Sequence, residues 1–278
     1  MADETRRLTF EQREGLAPLP QQLRLKELPK SIRAPLWAVV YDSMIAAEGH
    51  VRSPWSAILR PYWVGHLYRD ADMFPSYGPH VVKWVKPIIL DGSYAEALGF
   101  LEHAIQHFNV IAPKNFFALQ INRCLEAGGA AYRVLDGSTI CPISSPEEAQ
   151  AVQTALDELG GYAGARTHLH SAASLLTACR YADSVRESIH AVESVARVLA
   201  PDARTLDPAL SELEKRGHLH PAMKKGFSNL YGYTNDEKGV RHALLDAADS
   251  NVSESDALYM FVACAAFAAY LHRRSEAA

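Results

Sequence analysis

The chain has 278 residues and a formal net charge of −4, so it suits one large domain or two small ones, and the charge balance argues against a bulk, sequence-blind grip on nucleic acid. A local basic site remains compatible with it. The four cysteines (Cys124, Cys141, Cys179, Cys264) are widely spaced without a Cys-x-x-Cys pair, and the charged start MADETRRLTFEQREG does not read as a secretory signal, so reduced thiols and a cytoplasmic location are expected.

In chain order, residues 1–29 read as short helical pieces broken by Pro18, Pro20 and Pro29. Ser31–Ala47 predicts a helix with Leu36, Val40 and Met44 on one face, and Pro35 fits only in its first turn. Pro54 and Pro61 bracket short elements, and Pro79–Val85 and Ser93–Phe108 read as further helices. Trp37, Trp55, Trp63 and Trp84 all fall in this part, and aromatic residues at such spacing are expected in a core. His103 and His107 share a helix face, but Ala104 stands where the zinc-protease pattern needs Glu. Asn115–Glu126 is a helix ended by Gly128-Gly129. Asp136-Gly137, between the apolar runs Tyr132–Leu135 and Thr139–Cys141, predicts a β-hairpin over 131–141. Ser145, Pro146 and Glu148 form a helix start, and that helix ends at Leu159 before Gly160-Gly161. The glycine pair sets the expected division into domains 1–160 and 161–278.

The second half reads as helices over Ala163–Ala178, Asp183–Ala200, Pro208–Arg216, Pro221–Tyr233, Gly239–Ala248 and Ser253–Arg274. Asp207 is placed as the cap of the third, with Pro208 at its first position. Thr234 and Glu237 read as a capping box opening the fifth. In the last, the apolar run Ala257–Leu271 is fifteen residues long, short of the roughly 20 that a membrane span needs, so it is read as a central buried helix with no membrane role. Its small residues suit close helix approach in a bundle or a dimer. On Asp183–Ala200, Val185, Ile189, Val192, Ala196 and Leu199 form an apolar stripe. Beside it Arg186, His190, Glu193 and Arg197 step by three and four along one flank. These are a site if they meet a cleft, and otherwise a solvated face in which Glu193 pairs with Arg197 and His190. Arg241-His242 lies early in the Gly239 helix, where Arg can fork onto a phosphate and His can move protons. His168-x-His170 and His218-x-His220 lack a Cys or carboxylate at ligand spacing and read as surface or capping residues.

The words ADSVRESIHAVESVARVL, LHPAMKKGFSNLYGYTNDEKGVRHALL and ALYMFVACAAFAAYL resemble the C-terminal module of AbiJ-type bacterial abortive-infection proteins, a module similar to HEPN domains. FEQREGLAPLPQQLRLKELPKSIRAPLWAVVYDSM and YRVLDGSTICPISSPEEAQAV resemble an AbiJ N-terminal domain. The resemblance implies a mostly α fold: an N-terminal helical domain carrying the hairpin, then a HEPN-like bundle that forms homodimers and acts on RNA. HEPN ribonucleases carry a spaced Arg…His pair. Here His242 matches the His, Asn235, Asp236 and Glu237 hold no Arg, and Arg241 is adjacent instead. The functional expectation is an antiphage defence protein with a metal-independent RNase or RNA-binding domain. In it His242 is base or acid, Arg241 is the phosphate ligand, and Arg186, His190 and Glu193 assist. The alternative is a non-catalytic dimerisation or nucleotide-binding module. No cofactor or metal is expected.

Overall fold

A computed structural model describes residues 10–14, 23–46, 48–143, 145–236 and 251–276. It is mostly helical with one two-stranded antiparallel sheet. Contacts divide it into two compact units, Met1–Ile140 and Cys141–Ala278.

The first unit contains α1 (Phe10–Arg13), α2 (Lys30–Met44), α3 (Trp55–Gly65), α4 (Gly78–Leu90), α5 (Tyr94–His107) and α6 (Ile111–Ala127), followed by β1 (Tyr132–Leu135). Helix α2 packs on α4 and α6, and α3 on α5. As the periodicity implied, Leu36, Val40 and Met44 point into the core. Trp55 is its centre, with Phe108 and Phe117 edge-on at 5.6 and 5.5 Å. Trp63 is also buried, while Trp37 and Trp84 pack against the core from its margin. Buried Arg33 donates to the carbonyl of Ile89 at 2.7 Å, satisfying an orphan acceptor in the last turn of α4. Ser93 and Glu96 close a complete capping box at the start of α5. Pro61 lies inside α3, which runs past it, and α4 runs through Pro87 to Leu90, beyond the expected end at Val85. Buried residues on either side of each proline hold the helical path.

The hairpin forms where Asp136-Gly137 placed it, between β1 and β2 (Thr139–Pro142). Asp136 and Gly137 have φ of 49° and 59°, and Ser138 donates back to Leu135 at 3.1 Å, which is the tight turn that this dipeptide favours. Helices clamp it: Asn122 accepts from the Val134 amide at 2.7 Å and donates to the Val134 carbonyl at 2.8 Å, and Glu102 accepts from the Ile140 amide at 2.6 Å.

The second unit contains α7 (Pro146–Glu158), α8 (Ala163–Thr177), α9 (Tyr181–Leu199), α10 (Leu206–Lys215), α11 (Pro221–Asp236) and α12 (Glu254–Glu276). Helix α12 is capped by Ser253 and Asp256 and packs against α7, α8 and α9. By length and composition it would pass as a membrane span, yet ten of its residues are buried against the other helices, Phe261 and Cys264 completely. Helix α10 begins two residues before the expected position, with Thr205 at its N-cap, so Asp207 and Pro208 sit inside its first turn. Helix α11 continues through Thr234–Asp236, so Thr234 does not start a new helix; an N-cap needs non-helical backbone, and here the backbone is helical. The expected Gly239–Ala248 helix lies outside the described residues.

Candidate functional site

Helix α9 carries the candidate side chains because its apolar stripe fixes which flank stays wet. Val185, Ile189, Val192 and Ala196 are buried, and Leu199 is half-buried at the end. Against this stripe α8 runs antiparallel and close. Ser184, fully buried, donates to the Ala172 carbonyl at 2.8 Å. At the other end Gly164 approaches Ser194 so closely that an added Cβ would lie 2.7 Å from the Ser194 hydroxyl. Between these two points His168 faces Glu187, with Nδ1 2.8 Å from Oε2.

That pairing organises the flank. Ionised Glu187 only accepts, so Nδ1 of His168 donates and the lone pair of a neutral ring lies on Nε2. His190, one helical turn on from Glu187, brings its Nδ1 to 3.6 Å from Oε1, too far for a hydrogen bond. The two imidazoles meet edge to face at 5.3 Å. His190 therefore neighbours Glu187 rather than Glu193. Glu193 pairs loosely with Arg197 at 3.9 Å, and Arg186 binds Asp183 at 2.8 Å.

Two open grooves flank this seam. One, of about 570 Å³, is lined by His168, His190, Glu193, Ser194 and Arg197, within the size range of small-molecule clefts. The other takes in Arg186, Glu187, Arg180, Asp183 and His170. His190 and Glu193 thus line one groove without a direct pairing, and Arg186 lies on the neighbouring groove. Arg241 and His242 lie outside the described residues. Of two further participants, Glu187 is passed over in the sequence and His168 reads there as a surface or capping residue. The available signal was Glu187-x-x-His190, since an i,i+3 spacing puts both groups on one helix face.

Three other histidines have local tasks. His103 Nε2 donates to the buried carbonyl of Ile58 at 2.9 Å, and His107 lies stacked on its ring at 3.8 Å. Burial pushes the His103 imidazole below its ordinary pKa. His220 Nδ1 accepts from the Ala222 amide at 3.1 Å at the start of α11, a capping role.

Residues 8–158, more than half of the chain, match the family model described as AbiJ N-terminal domain 4. No curated protein and no solved structure matches the chain. The α8–α9 seam lies beyond the matched residues.

Proposed function

The chain belongs to the AbiJ N-terminal domain 4 family, and from that premise we propose that it is a bacterial abortive-infection protein whose C-terminal helical unit is HEPN-like and cleaves or binds RNA without a metal. Family membership supports the defence role. The RNA reading rests on one observation: two imidazoles, His168 and His190, stand either side of the Glu187 carboxylate at the edge of an open groove that also holds Arg197.

Such a groove suits phosphodiester chemistry. One imidazole takes the proton of the RNA 2′-OH, and the 2′-oxygen attacks phosphorus. The P–O5′ bond then breaks as a second acid protonates the leaving oxygen. An Arg fork stabilises the charge gathering on the phosphate. In this proposal His242 is the principal acid or base and Arg241 the phosphate ligand. His190, Glu193 and Arg186 act from α9.

A second reading is a non-catalytic module for dimerisation or nucleotide binding. The local pairing of Arg186 with Asp183 and of Arg197 with Glu193 favours it, because both cations already have anionic partners. Phage challenge of cells that express the chain separates the two. Under the RNase reading, His242→Ala and His190→Ala accumulate as folded protein and lose protection. Full protection by both folded variants rejects the catalytic assignment.

A further inference from the structure

We propose that His168, Glu187 and His190 form a binding site for a divalent cation of the Zn²⁺ class. The inference does not rest on the RNase reading, and the two share His190. Among the described residues these three are the group of His, Cys, Asp and Glu side chains that offers a shared cation position, with one ligand atom from each lying within 4.8 Å of the others.

The placement comes from the backbone. Glu187 and His190 are three apart on α9, the Glu-x-x-His spacing with which helical bundles present a carboxylate and an imidazole to one metal. His168 enters from α8 because the antiparallel register, pinned at Ser184–Ala172 and at Gly164–Ser194, sets it opposite Glu187. Tetrahedral ligands about 2.0–2.1 Å from a metal stand about 3.3–3.4 Å from one another. His168 Nδ1 stands 2.8 Å from Oε2 of Glu187 and His190 Nδ1 3.6 Å from Oε1, either side of that separation but one to each carboxylate oxygen, and one ligand atom from each residue lies within 4.8 Å of the others. The side chains are 36, 25 and 41 % exposed, so small rotations can close the set without disturbing the core.

The ligand chemistry narrows the cation. Two imidazoles and one carboxylate suit Zn²⁺, Co²⁺ or Ni²⁺ and disfavour Mg²⁺ and Ca²⁺, which take oxygen ligands. Three protein ligands leave a fourth position for water or for an anion from the groove. Binding displaces the proton on His168 Nδ1 and ties up an imidazole lone pair of each histidine. A His190 that ligates a metal cannot accept a proton, so cation binding and acid–base work by His190 exclude one another at any moment.

The test uses the full chain, stripped with chelator and titrated with Co²⁺ alone and then with Zn²⁺. The expected result is one equivalent of Co²⁺ per chain, with visible absorption of a low-coordinate nitrogen–oxygen site and no thiolate charge-transfer band, displaced by Zn²⁺. Calorimetry is expected to show Zn²⁺ affinity weakened about 100-fold or more in His168→Ala, Glu187→Gln and His190→Ala, beyond what outer-shell changes cost. His80→Ala, in the other unit, is expected to bind as the wild type does. Circular dichroism establishes that each variant is folded. Absence of a stoichiometric site overturns the proposal. So does a thiolate band, or unchanged affinity in Glu187→Gln together with either folded histidine variant.

Discussion

His103 is a buried imidazole whose surroundings disfavour its charged form. Its Nε2–H is committed to the Ile58 carbonyl, and the rings of Tyr62, His66 and His107 surround it. Burial lowers its pKa in the folded state, whereas in the unfolded chain it protonates near the ordinary value of about 6.5. Below that value the unfolded state binds more protons than the folded state does. The stabilising contribution is therefore complete above about pH 6.5 and is lost as the pH falls toward the depressed folded pKa. Thermal unfolding between pH 7.5 and 5.5 is expected to show a falling Tm, and His103→Gln, which keeps a donor for Ile58, is expected to flatten that slope. An unchanged slope in the variant contradicts the assignment. The same scale shows what local sequence hides. Stepping from Arg186 by three and four selects His190, Glu193 and Arg197 and passes over Glu187. His168 becomes its neighbour only through the register of two helices.

At the scale of elements, the hairpin was legible and several helix ends were not. Asp136-Gly137 encodes positive φ at two consecutive positions, a demand that local chemistry alone meets. The four-residue spacing of Leu36, Val40 and Met44 likewise survives because one buried face satisfies it. Pro61 read as a break, yet buried neighbours such as Ile58 and Tyr62 offset the lost backbone bond, as Val85 and Ile89 do around Pro87. Thr234 read as a start although nothing before it stops α11. The hairpin's hold on the helices is where one side chain matters most. Asn122→Ala strips both partners from the Val134 backbone and is expected to cost about 1–3 kcal/mol. Urea unfolding measures the loss, and hydrogen exchange is expected to quicken first over 132–142. Wild-type exchange there would mean that the β2 pairing and packing hold β1 without Asn122.

At the scale of the molecule, the family match ends at 158, whereas contacts divide the chain at Ile140/Cys141 and set α7 with the second unit, against α12; the seam proposed at the exposed pair Gly160-Gly161 follows the family match. Limited proteolysis is expected to cut there first, and a dominant first cut elsewhere contradicts it. We also propose a homodimer through α12, whose Tyr259 and Ala266 stay exposed while Val262 and Ala263 are only half-covered. Light scattering at micromolar concentration is expected to give twice the chain mass, and a clean monomer contradicts it. The central claim, that the C-terminal unit acts on RNA through the α9 flank, is tested most directly by cleavage of purified tRNA and mRNA with chelator present. The account predicts cleavage by the wild type and a loss of about 10²–10⁴-fold in folded His190→Ala, the range of general acid–base catalysis. Intact RNA at high protein concentration, or a His190→Ala variant that cleaves as fast as the wild type, would contradict it.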